Sequence, residues 1–516
     1  MRGGIGDWIT RRALRRPRRT ALVDGETGRE VSYAEFAELV AATAGALHDM
    51  GVRRGDRVAL LMENSVEFLQ MLFGAASLGA ITVPVNFRLS PREVAYVLAD
   101  SGAIVLAVSD GLVPLAADAL AKDEDQVRHV VADLPVGERD TRGFAALTSA
   151  TPQTPDPEID DDDVCIIMYT SGTTGLPKGA MLTHGNMLWN AINLCTVGSG
   201  LCPRSVTLAV APMFHIGALG VSVLPLLYAG GTVVTLRSFD PEDTLRKIEK
   251  YRVTTQFMVP TMWARLSAVP DFDRYDTSSV DYVLTGGAPC PIPVIEFYQQ
   301  HGWMFLEGFG MTEASPNTLL LEEDSVLTHN GSVGRPFMHV DVRIVGADGT
   351  DVAVGEVGKL LLRGPNIFSG YWGKPEATAA SFTDGWFHTG DLGRADAEGY
   401  VTLVDRKKDM IISGGENVYP IEVEQVLYRN DAIGDVAVIG LPDELWGERV
   451  VAVVVAERGR PRDADAIIEF CRERLAHYKC PTRVLFVDQL PYNATGKLLK
   501  RRLREELTGS AAAVHR

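Results

Sequence analysis

The run T-S-G-T-T-G-L-P-K-G, from Thr170 to Gly179, constrains this chain more than any other stretch. Its glycines allow backbone N–H groups to turn toward an anion, its hydroxyls add donors, and Lys178 adds a positive charge. A flexible connector can have the same composition, but apolar runs on both sides favour a fixed loop. We therefore predict a polyphosphate-binding loop, whose residues are Thr170, Ser171, Gly172, Thr173, Thr174, Gly175 and Lys178.

The run differs from the familiar phosphate loop, in which a helix follows the pattern G-x-x-x-x-G-K-[ST]. Here Pro177 precedes the lysine and Gly179 follows it. The apolar run Val164–Tyr169 predicts a strand before the loop, and Gly179–Thr183 predicts another after it, with a helix opening at Asn186. In this arrangement no helix dipole points at the phosphates, so the loop and any bound metal must hold their charge.

The length and the pattern of elements predict the fold class. A chain of 516 residues is too long for one core and suggests at least two domains. The helical patterns Tyr33–Met50 and Ser65–Leu78 alternate with short β-like runs at Val58–Met62, Ala80–Val83 and Ile104–Val108. This alternation predicts an α/β fold with a largely parallel sheet.

The composition argues against several functional classes. A formal net charge of -17 provides no bulk positive field for a nucleic acid. The six cysteines form neither C-x-x-C pairs nor a zinc-binding spacing with histidines. The motifs H-E-x-x-H and G-x-S-x-G are absent, so neither a zinc protease nor a serine hydrolase of the strand-elbow type is supported. We expect reduced thiols and no nucleic-acid partner.

The hydropathy pattern bears on location. The sequence contains no uninterrupted apolar span long enough to cross a bilayer, and Met1–Arg19 has no hydrophobic signal core. We therefore expect a cytoplasmic protein without a transmembrane segment. A group of arginines near the start could make weak contact with an anionic membrane surface, or could form a solvated helix face; they are Arg11, Arg12, Arg15, Arg16, Arg18 and Arg19.

Seven further segments combine glycine, hydroxyl, aromatic and charged residues in patterns that suit nucleotide chemistry. In order they are A-P-M-F-H-I-G-A-L (Ala211–Leu219), L-T-G-G-A-P (Leu284–Pro289), E-G-F-G-M-T-E (Glu307–Glu313), D-G-W-F-H-T-G-D (Asp384–Asp391), D-R-K-K-D (Asp405–Asp409), S-G-G-E-N (Ser413–Asn417) and P-Y-N-A-T-G-K (Pro491–Lys497). Taken alone, Leu284–Pro289 is only a strand-ending turn and Asp405–Asp409 is either a hinge or a charged turn. On residue type alone, a histidine such as His215 is more often a core residue, and a lysine such as Lys497 is more often solvated.

In this order the segments resemble the signatures of the adenylate-forming superfamily, which includes acyl-CoA synthetases, aryl-CoA ligases, peptide-synthetase adenylation domains and firefly luciferase. The resemblance covers essentially the whole chain. From Asp384 to Lys408 the pattern is closest to that of bacterial fatty acyl-CoA synthetases, from which it departs at Ala395 and Ala397. Phe309 stands where the family more often has tyrosine, which keeps ring stacking and loses a hydroxyl contact.

The resemblance implies two domains and a nucleotide site between them. A large multi-layer α/β domain would cover residues 1–404, a hinge residues 405–408 with Lys408 as the pivot, and a small mobile α+β domain residues 409–516. The glycine-rich turn would contact adenine, Asp391 the ribose, Arg406 the ribose or a phosphate, and Glu313 with Thr170 would bind Mg²⁺. The further ATP-binding residues would be Gly286, Gly287, Ala288, Gly308, Phe309, Gly310 and Met311.

The same resemblance assigns residues to the acid, to coenzyme A and to catalysis. His215 would lie between the nucleotide and the carboxylate and would act in catalysis together with Thr312, Glu313 and Lys497. Lys497 would bridge the carboxylate and the α-phosphate and stabilise charge there. Gly414 and Gly415 would line the entry of the pantetheine arm. The acyl pocket would be lined by His215, Gly217 and Val221.

The predicted activity is an ATP-dependent acid–thiol ligation that uses ATP, Mg²⁺ and coenzyme A, releases AMP and pyrophosphate, and acts on a medium- or long-chain fatty acid. Gly217 favours an aliphatic or bulkier acid, because hydroxycinnamate ligases of the family tend to carry a large aromatic residue there. An aryl or specialised biosynthetic acid is the alternative, with CoA, a carrier protein or an amine as acceptor. A nucleotide-binding regulator without activity and a luciferase-like oxygenase are rival classes. The oligomeric state stays open, a homodimer included.

Overall fold

The structure is a computed structural model, and it describes residues 3–122, 126–137, 139, 141–170, 176–406, 409–413, 416–443, 446–492 and 498–514. The first third of the chain alternates helices with strands. Its helices are α1 (Asp7–Arg15), α2 (Tyr33–Asp49), α3 (Val66–Ser77), α4 (Pro91–Ser101), α5 (Val113–Leu120) and α6 (Phe144–Leu147). Its strands are β1 (Thr20–Asp24), β2 (Glu30–Ser32), β3 (Arg57–Leu61), β4 (Ile81–Pro84), β5 (Ala103–Val108), β6 (His129–Val131), β7 (Thr141–Arg142) and β8 (Val164–Thr170).

The middle of the chain continues the alternation. Its strands are β9 (Lys178–Thr183), β10 (Val206–Ala209), β11 (Thr232–Thr235), β12 (Thr255–Met258), β13 (Tyr282–Thr285), β14 (Met304–Gly310), β15 (Asn317–Leu320) and β16 (Arg335–Pro336). Its helices are α7 (His184–Leu194), α8 (Ile216–Ala218), α9 (Leu224–Ala229), α10 (Pro241–Tyr251), α11 (Pro260–Ser267) and α12 (Ile292–Gln300). A π-helical turn, Leu219–Val223, joins α8 to α9.

The last third is richer in antiparallel strands. Its strands are β17 (Asp341–Val345), β18 (Gly358–Arg363), β19 (Gly370–Tyr371), β20 (Phe382–Thr383), β21 (Trp386–Ala395), β22 (Val401–Arg406), β23 (Ile411–Ser413), β24 (Glu416–Val418), β25 (Ile433–Asp443), β26 (Gly447–Ala456) and β27 (Arg483–Phe486). Its helices are α13 (Pro375–Ala379), α14 (Pro420–Leu427), α15 (Ala464–Arg472) and α16 (Lys500–Val514).

The strands form five sheets. The largest has eight strands in the order β19-β9-β8-β4-β3-β5-β6-β7, and β8-β4-β3-β5-β6-β7 are parallel, whereas β8, β9 and β19 pair antiparallel. A second sheet, β12-β13-β14-β15-β16, is parallel in its first three strands. The predicted α/β class with a large N-terminal domain and a smaller C-terminal domain is therefore confirmed, and the sheet is largely parallel as expected.

Local sequence explains where the helices begin. The Ser32 side chain caps α2 by accepting a hydrogen bond from the backbone N–H of Glu35, and the Glu35 side chain accepts one from the backbone N–H of Ser32. Ser90 and Glu93 cap α4 in the same way. Such a capping box satisfies two backbone donors that the helix itself leaves without partners. Ser65 likewise caps α3, so the helix predicted from Ser65 starts one residue later.

The C-terminal sheet has the strand order β24-β23-β26-β25, with β27 beside β26. It forms a separate hydrophobic core with α14 and α15. The predicted hinge begins inside a strand, because Asp405 and Arg406 are the last two residues of β22 and pair with Leu392 and Asp391 of β21. Lys408 lies outside the described residues, and the boundaries of the two domains stay a prediction. Among the described residues, no helix combines the length and the apolarity needed to span a bilayer.

Candidate nucleotide and acyl site

The predicted phosphate run lies on a β-hairpin. β8 and β9 are antiparallel, and the last pair before the turn is Thr170 opposite Lys178. The Thr170 hydroxyl donates to the Lys178 carbonyl oxygen at 3.5 Å, which closes the base of the turn. The two strands predicted on either side of the loop are therefore present. The central loop residues, Ser171 to Gly175, lie outside the described residues.

A half-buried carboxylate, Asp100 near the end of α4, anchors both sides of this hairpin. The Tyr169 hydroxyl donates to Asp100 at 2.7 Å, and the Tyr96 hydroxyl lies 3.2 Å from Asp100 and 3.1 Å from the carbonyl oxygen of Pro177. The Lys374 ammonium is 3.0 Å from the same carboxylate. Hydrogen bonds to charged groups contribute about 1.5–3 kcal/mol each, so this Asp100 cluster (Tyr96, Asp100, Tyr169, Lys374) holds the two ends of the loop in place.

The candidate metal ligand Glu313 is connected to Lys178 through Tyr371. Glu313 is 7% exposed, and its Oε1 accepts a hydrogen bond from the Tyr371 hydroxyl at 2.9 Å. Burial and the neighbouring Glu313 carboxylate raise the pKa of Tyr371 well above its ordinary value, so its hydroxyl stays a donor. The Lys178 ammonium lies 5.3 Å from the centre of the Tyr371 ring, within the range of a cation–π contact. Tyr371 thus brings a carboxylate and a lysine to the base of the phosphate hairpin.

The donor set at Glu313 and Thr170 suits Mg²⁺. Within the described part of the chain, no group of three or more His, Cys, Asp or Glu side chains could hold a metal by itself. Mg²⁺ usually binds through one or two carboxylates together with substrate phosphates. One buried carboxylate and one hydroxyl beside a phosphate hairpin fit that mode of binding.

The glycines of the two nucleotide motifs are required by close backbone approaches. A Cβ on Gly286 would lie 3.1 Å from the Gly308 carbonyl oxygen, and one on Gly310 would lie 2.0 Å from the carbonyl oxygen of Pro316. Gly287 is exposed and has a φ of +85°, in the left-handed region that favours glycine. These positions keep the ends of β13 and β14 flat and free of side chains, with Ala288 and Phe309 half-buried beside them.

The two glycine-containing motifs end on neighbouring strands. Gly308, Phe309 and Gly310 close β14, and Met311 precedes the short turn that carries Thr312 and Glu313. Gly286 follows β13, which is parallel to β14, so both motifs lie at the same carboxyl edge of this sheet. Ligands of open α/β sheets bind at that edge.

Asp391 lies inside β21, where the sequence predicted only the end of a motif. It is 8% exposed and pairs with Arg406 of β22. Its backbone N–H donates to the Thr389 hydroxyl at 3.0 Å, which in turn donates to the carbonyl of Leu360 at 2.8 Å. The aspartate is therefore held by the sheet itself. The Arg406 side chain and residues Lys408, Gly414, Gly415 and Lys497 are outside the described set.

His215 behaves as a half-buried imidazole that is neutral near neutral pH. Its Nε2 has no hydrogen-bond partner within the described part of the molecule. Burial, and to a smaller extent the positive charge of Arg88, lower its pKa to about 3. The buried Asn64 amide fixes the preceding loop, because it donates to the carbonyl oxygens of Ala209 and Ala211 and accepts from the N–H of Met213. The unpartnered nitrogen argues against a satisfied core histidine and leaves one ring atom for a ligand.

Phe257 alters the expected shape of the acyl pocket. A Cβ on Gly217 would lie 3.2 Å from the Phe257 ring, and one on Gly286 would lie 3.9 Å from the same ring. Phe257 is 6% exposed and packs in one cluster with Val221. The Phe257 ring from β12 therefore borders the position that Gly217 leaves without a side chain, and the acyl pocket stays a prediction. This contact joins the predicted acyl pocket to the nucleotide turn.

Glu307 is a buried carboxyl group in the middle of β14. Its Oε1 accepts a hydrogen bond from the Cys290 N–H at 3.0 Å, while Oε2 has no partner among the described residues. Burial raises its pKa to about 7. Because the ordinary value is 4.5, the folded protein retains this proton over a pH range in which the unfolded chain has lost it.

We expect Glu307→Gln to flatten the pH dependence of stability. Below pH 4.5 the carboxyl group is protonated in both states, and as the pH rises toward 7 the unfolded state alone ionises. The free energy of unfolding of the wild type should then fall, by on the order of 3 kcal/mol at about 1.4 kcal/mol per pH unit. Urea unfolding at pH 5 and pH 8 measures this loss. Parallel pH profiles of wild type and variant would contradict it.

The basic residues after Lys497 are matched by acids. Lys500 pairs with Glu424 at 2.8 Å, and Arg504 pairs with Asp409 at 2.9 Å. Arg501 and Arg502 pair with glutamates four residues later on the same helix, each at 2.7 Å. These pairs are typical of a helix surface tied to its own domain.

Sequence reasoning missed Tyr371, Asp100 and Phe257. Tyr371 lies in a two-residue strand without a motif of its own, and Asp100 ends an amphipathic helix where a solvated carboxylate is usual. Phe257 reads as an ordinary core residue of a buried strand. Apart from the local contact of Tyr96 with Asp100, their contacts span from 29 residues, for Phe257 with Gly286, to 274 residues, for Lys374 with Asp100. Local patterns carry no signal for such contacts.

The chain is similar to known proteins over nearly its whole length. The profile of the AMP-binding enzyme family matches residues 9–372, and that of the AMP-binding enzyme C-terminal domain matches residues 422–497. A feruloyl-CoA synthase of Amycolatopsis sp is 45% identical over 505 residues, covering 97% of this chain and 98% of that protein. The long-chain-fatty-acid–CoA ligase FadD13 of Mycobacterium tuberculosis is 40% identical over 511 residues, covering 98% and 99%. The anthranilate CoA ligase AuaEII, solved with anthranoyl-AMP, superimposes with a TM-score of 0.92 at 28% identity, covering 99% and 98%.

Proposed function

Because the chain belongs to the AMP-binding enzyme family, we propose that it is an AMP-forming acid–CoA ligase. It joins a carboxylic acid to AMP with release of pyrophosphate, and then transfers the acyl group to the thiol of coenzyme A with release of AMP. The observation that supports this most directly is the connection of Glu313 through Tyr371 to Lys178 at the base of the phosphate hairpin. A carboxylate and an ammonium at one polyphosphate loop suit ATP with its metal ion.

In the first half-reaction the chain binds and orients ATP. Thr170 and Lys178 flank the triphosphate, Asp391 accepts the ribose hydroxyls, and the glycine turn Gly286–Ala288 takes the adenine against Phe309. Glu313 and Thr170 hold Mg²⁺, which offsets the charge of the phosphates when bound. Orientation for in-line attack supplies much of the rate, because it replaces an encounter in solution by a fixed geometry.

His215 and Lys497 complete the site for the acid. A neutral His215 can donate or accept one hydrogen bond at the carboxylate without adding a charge, as its pKa of about 3 requires near neutral pH. Lys497 bridges the carboxylate and the α-phosphate and stabilises the charge that develops between them. The small domain then turns about Lys408, which withdraws Lys497 and brings Gly414 and Gly415 to the pantetheine arm.

For the acid we propose a compact aryl acid first. The Phe257 ring lies 3.2 Å from where a Cβ of residue 217 would stand, which supports a short acid beside Gly217, and the feruloyl-CoA synthase resembles the chain over nearly its whole length. A medium- or long-chain fatty acid is the second candidate, favoured by the Asp384–Lys408 pattern and by the resemblance to FadD13.

The protein is proposed to act in the cytoplasm, with weak contact of the α1 arginines with anionic membranes as an additional property.

The test is mass spectrometry of reactions with ATP, Mg²⁺ and a panel of aryl, fatty and small branched acids, each with and without CoA. AMP together with one acyl-CoA series supports the ligase and identifies the acid. Formation of acyl-adenylate without a thioester would indicate that the acceptor is a carrier protein or an amine and not CoA. Absence of AMP with every acid would favour a nucleotide-binding protein without this chemistry.

We expect Phe257→Ala to shift the acid preference toward long chains. Removing the ring opens the space beside Gly217, and in a hydrophobic pocket one methylene changes selectivity by ~1–3 kcal/mol. The ratio of kcat/KM for a long-chain acid to that for a hydroxycinnamic acid should therefore rise by about tenfold or more. Phe239→Ala is the matched control, since this half-buried phenylalanine contacts Arg265 in a different cluster. Equal ratios in both variants would exclude Phe257 from the pocket.

A further inference from the structure

Gln425 of α14 forms a contact between the C-terminal domain and the segment that follows the nucleotide turn. Its Nε2 donates to the Cys290 carbonyl oxygen at 3.0 Å, and its Oε1 accepts from the Ile292 N–H at 3.3 Å. Cys290 comes two residues after Ala288, and Ile292 opens α12. One side chain therefore binds two backbone groups of the large domain.

The same segment is held from the opposite side by the large domain itself. The Cys290 N–H donates to Glu307, which directly precedes Gly308 in the second nucleotide motif. Cys290 is fully buried. Its peptide groups thus link β14 to the C-terminal helix α14 by hydrogen bonds, two residues after the turn Gly286–Ala288.

Within the C-terminal domain, α14 is fixed to the element that follows Lys497. Glu424, the neighbour of Gln425, pairs with Lys500 at 2.8 Å and accepts from the N–H of Val438 at 2.7 Å. Lys500 is the first residue of α16, three residues after Lys497. The position of Gln425 on the large domain therefore constrains where the start of α16 can lie.

We propose that Gln425 is a positioning residue that stabilises one of the two working orientations of the C-terminal domain. The proposal rests on the domain rotation described under the proposed function. Both hydrogen bonds of Gln425 end on backbone atoms of the large domain, so a rotation about residues 407–408 must break both. Gln425 consequently sets the balance between adenylation and thioester formation, without contact with either substrate.

The experiment measures the two half-reactions separately. Pyrophosphate release without CoA reports adenylation, and CoA consumption with supplied acyl-adenylate reports transfer, in wild type, Gln425→Ala, Gln425→Glu and the control Gln489→Ala. Two hydrogen bonds of ordinary strength correspond to a change of about tenfold. We expect Gln425→Ala to change the ratio of the two rates about tenfold. Gln425→Glu keeps the bond from Ile292 and should fall between wild type and Gln425→Ala, whereas Gln489, an exposed glutamine of the same domain, should leave the ratio within twofold.

A second readout does not depend on activity. Trypsin cuts after Arg406, Lys407 and Lys408, and release of the C-terminal domain from Gln425 should speed this cleavage several-fold in Gln425→Ala. Unchanged melting temperatures identify the effect as one of orientation. An unchanged rate ratio with unchanged cleavage would overturn the proposal. A wild type that forms no adenylate overturns the proposed function instead, and the cleavage rates then decide whether Gln425 holds the domain.

Discussion

Lys497→Ala should lower the adenylation rate about a thousandfold while leaving acyl transfer from supplied acyl-adenylate to CoA within about twofold. Removing a group that stabilises developing charge in a water-poor site costs about 10²–10³ in rate. The second half-reaction is spared because the proposed rotation removes Lys497 from the site before the thiol attacks. Pyrophosphate release with each acid measures the first rate, and CoA consumption from purified acyl-adenylate measures the second.

Lys479→Ala is the control for this comparison. Lys479 belongs to the same domain and pairs with Glu422 at 2.7 Å, so its loss removes a lysine and an ion pair without touching the proposed site. Both half-reactions should persist in the control. If Lys497→Ala formed acyl-adenylate at the wild-type rate, Lys497 would have no role in adenylation. If both half-reactions slowed equally, the proposed domain rotation would be contradicted.

Glu313→Gln should lower adenylation about a hundredfold and raise the Mg²⁺ concentration needed for half-maximal rate. The amide keeps an oxygen for the Tyr371 hydroxyl, which lies 2.9 Å from the carboxylate, so the local packing survives. The negative charge that attracts the metal ion is lost, since Mg²⁺ prefers carboxylate ligands. Initial rates over a range of Mg²⁺ concentrations at fixed ATP separate weaker metal binding from a slower reaction.

The control for charge loss is Glu322→Gln. Glu322 is exposed and pairs with Arg335, outside the nucleotide site. Exposed ion pairs contribute at most about 1 kcal/mol to stability, so this variant should follow the wild-type Mg²⁺ curve. If Glu313→Gln also followed that curve, the metal would be bound by ATP and other groups, and Glu313 would serve only to orient Tyr371.

The sequence predicted the elements around the site to within about two residues. The strands flanking the phosphate run, for example, were expected at Val164–Tyr169 and Gly179–Thr183 and are observed at Val164–Thr170 and Lys178–Thr183. Short-range signals account for this accuracy, because apolar runs, caps and glycines act over a few residues. The resemblance to adenylate-forming enzymes, confirmed by the family profiles, supplied the order of the motifs.

The features that the sequence did not predict are contacts between segments far apart in the chain. Gly217 was expected to leave the acyl pocket deeper, and the sequence gives no sign that the Phe257 ring, 40 residues later, lies 3.2 Å from where its Cβ would stand. Asp405 was expected in an exposed hinge and is 5% exposed, because β22 runs on to Arg406 beside β21. A charged run predicts exposure only where no neighbouring strand is available to pair with it.

The Asp100 cluster has a consequence for protein synthesis. Asp100 meets Lys374 across 274 residues, and the strand that edges the hairpin, β19, ends at Tyr371. A chain emerging from the ribosome therefore contains the predicted phosphate loop together with Tyr96, Asp100 and Tyr169 long before Lys374 completes the cluster. Because contacts of such long range form late, the ion pair between Lys374 and Asp100 can join the cluster only after residue 374 has been synthesised.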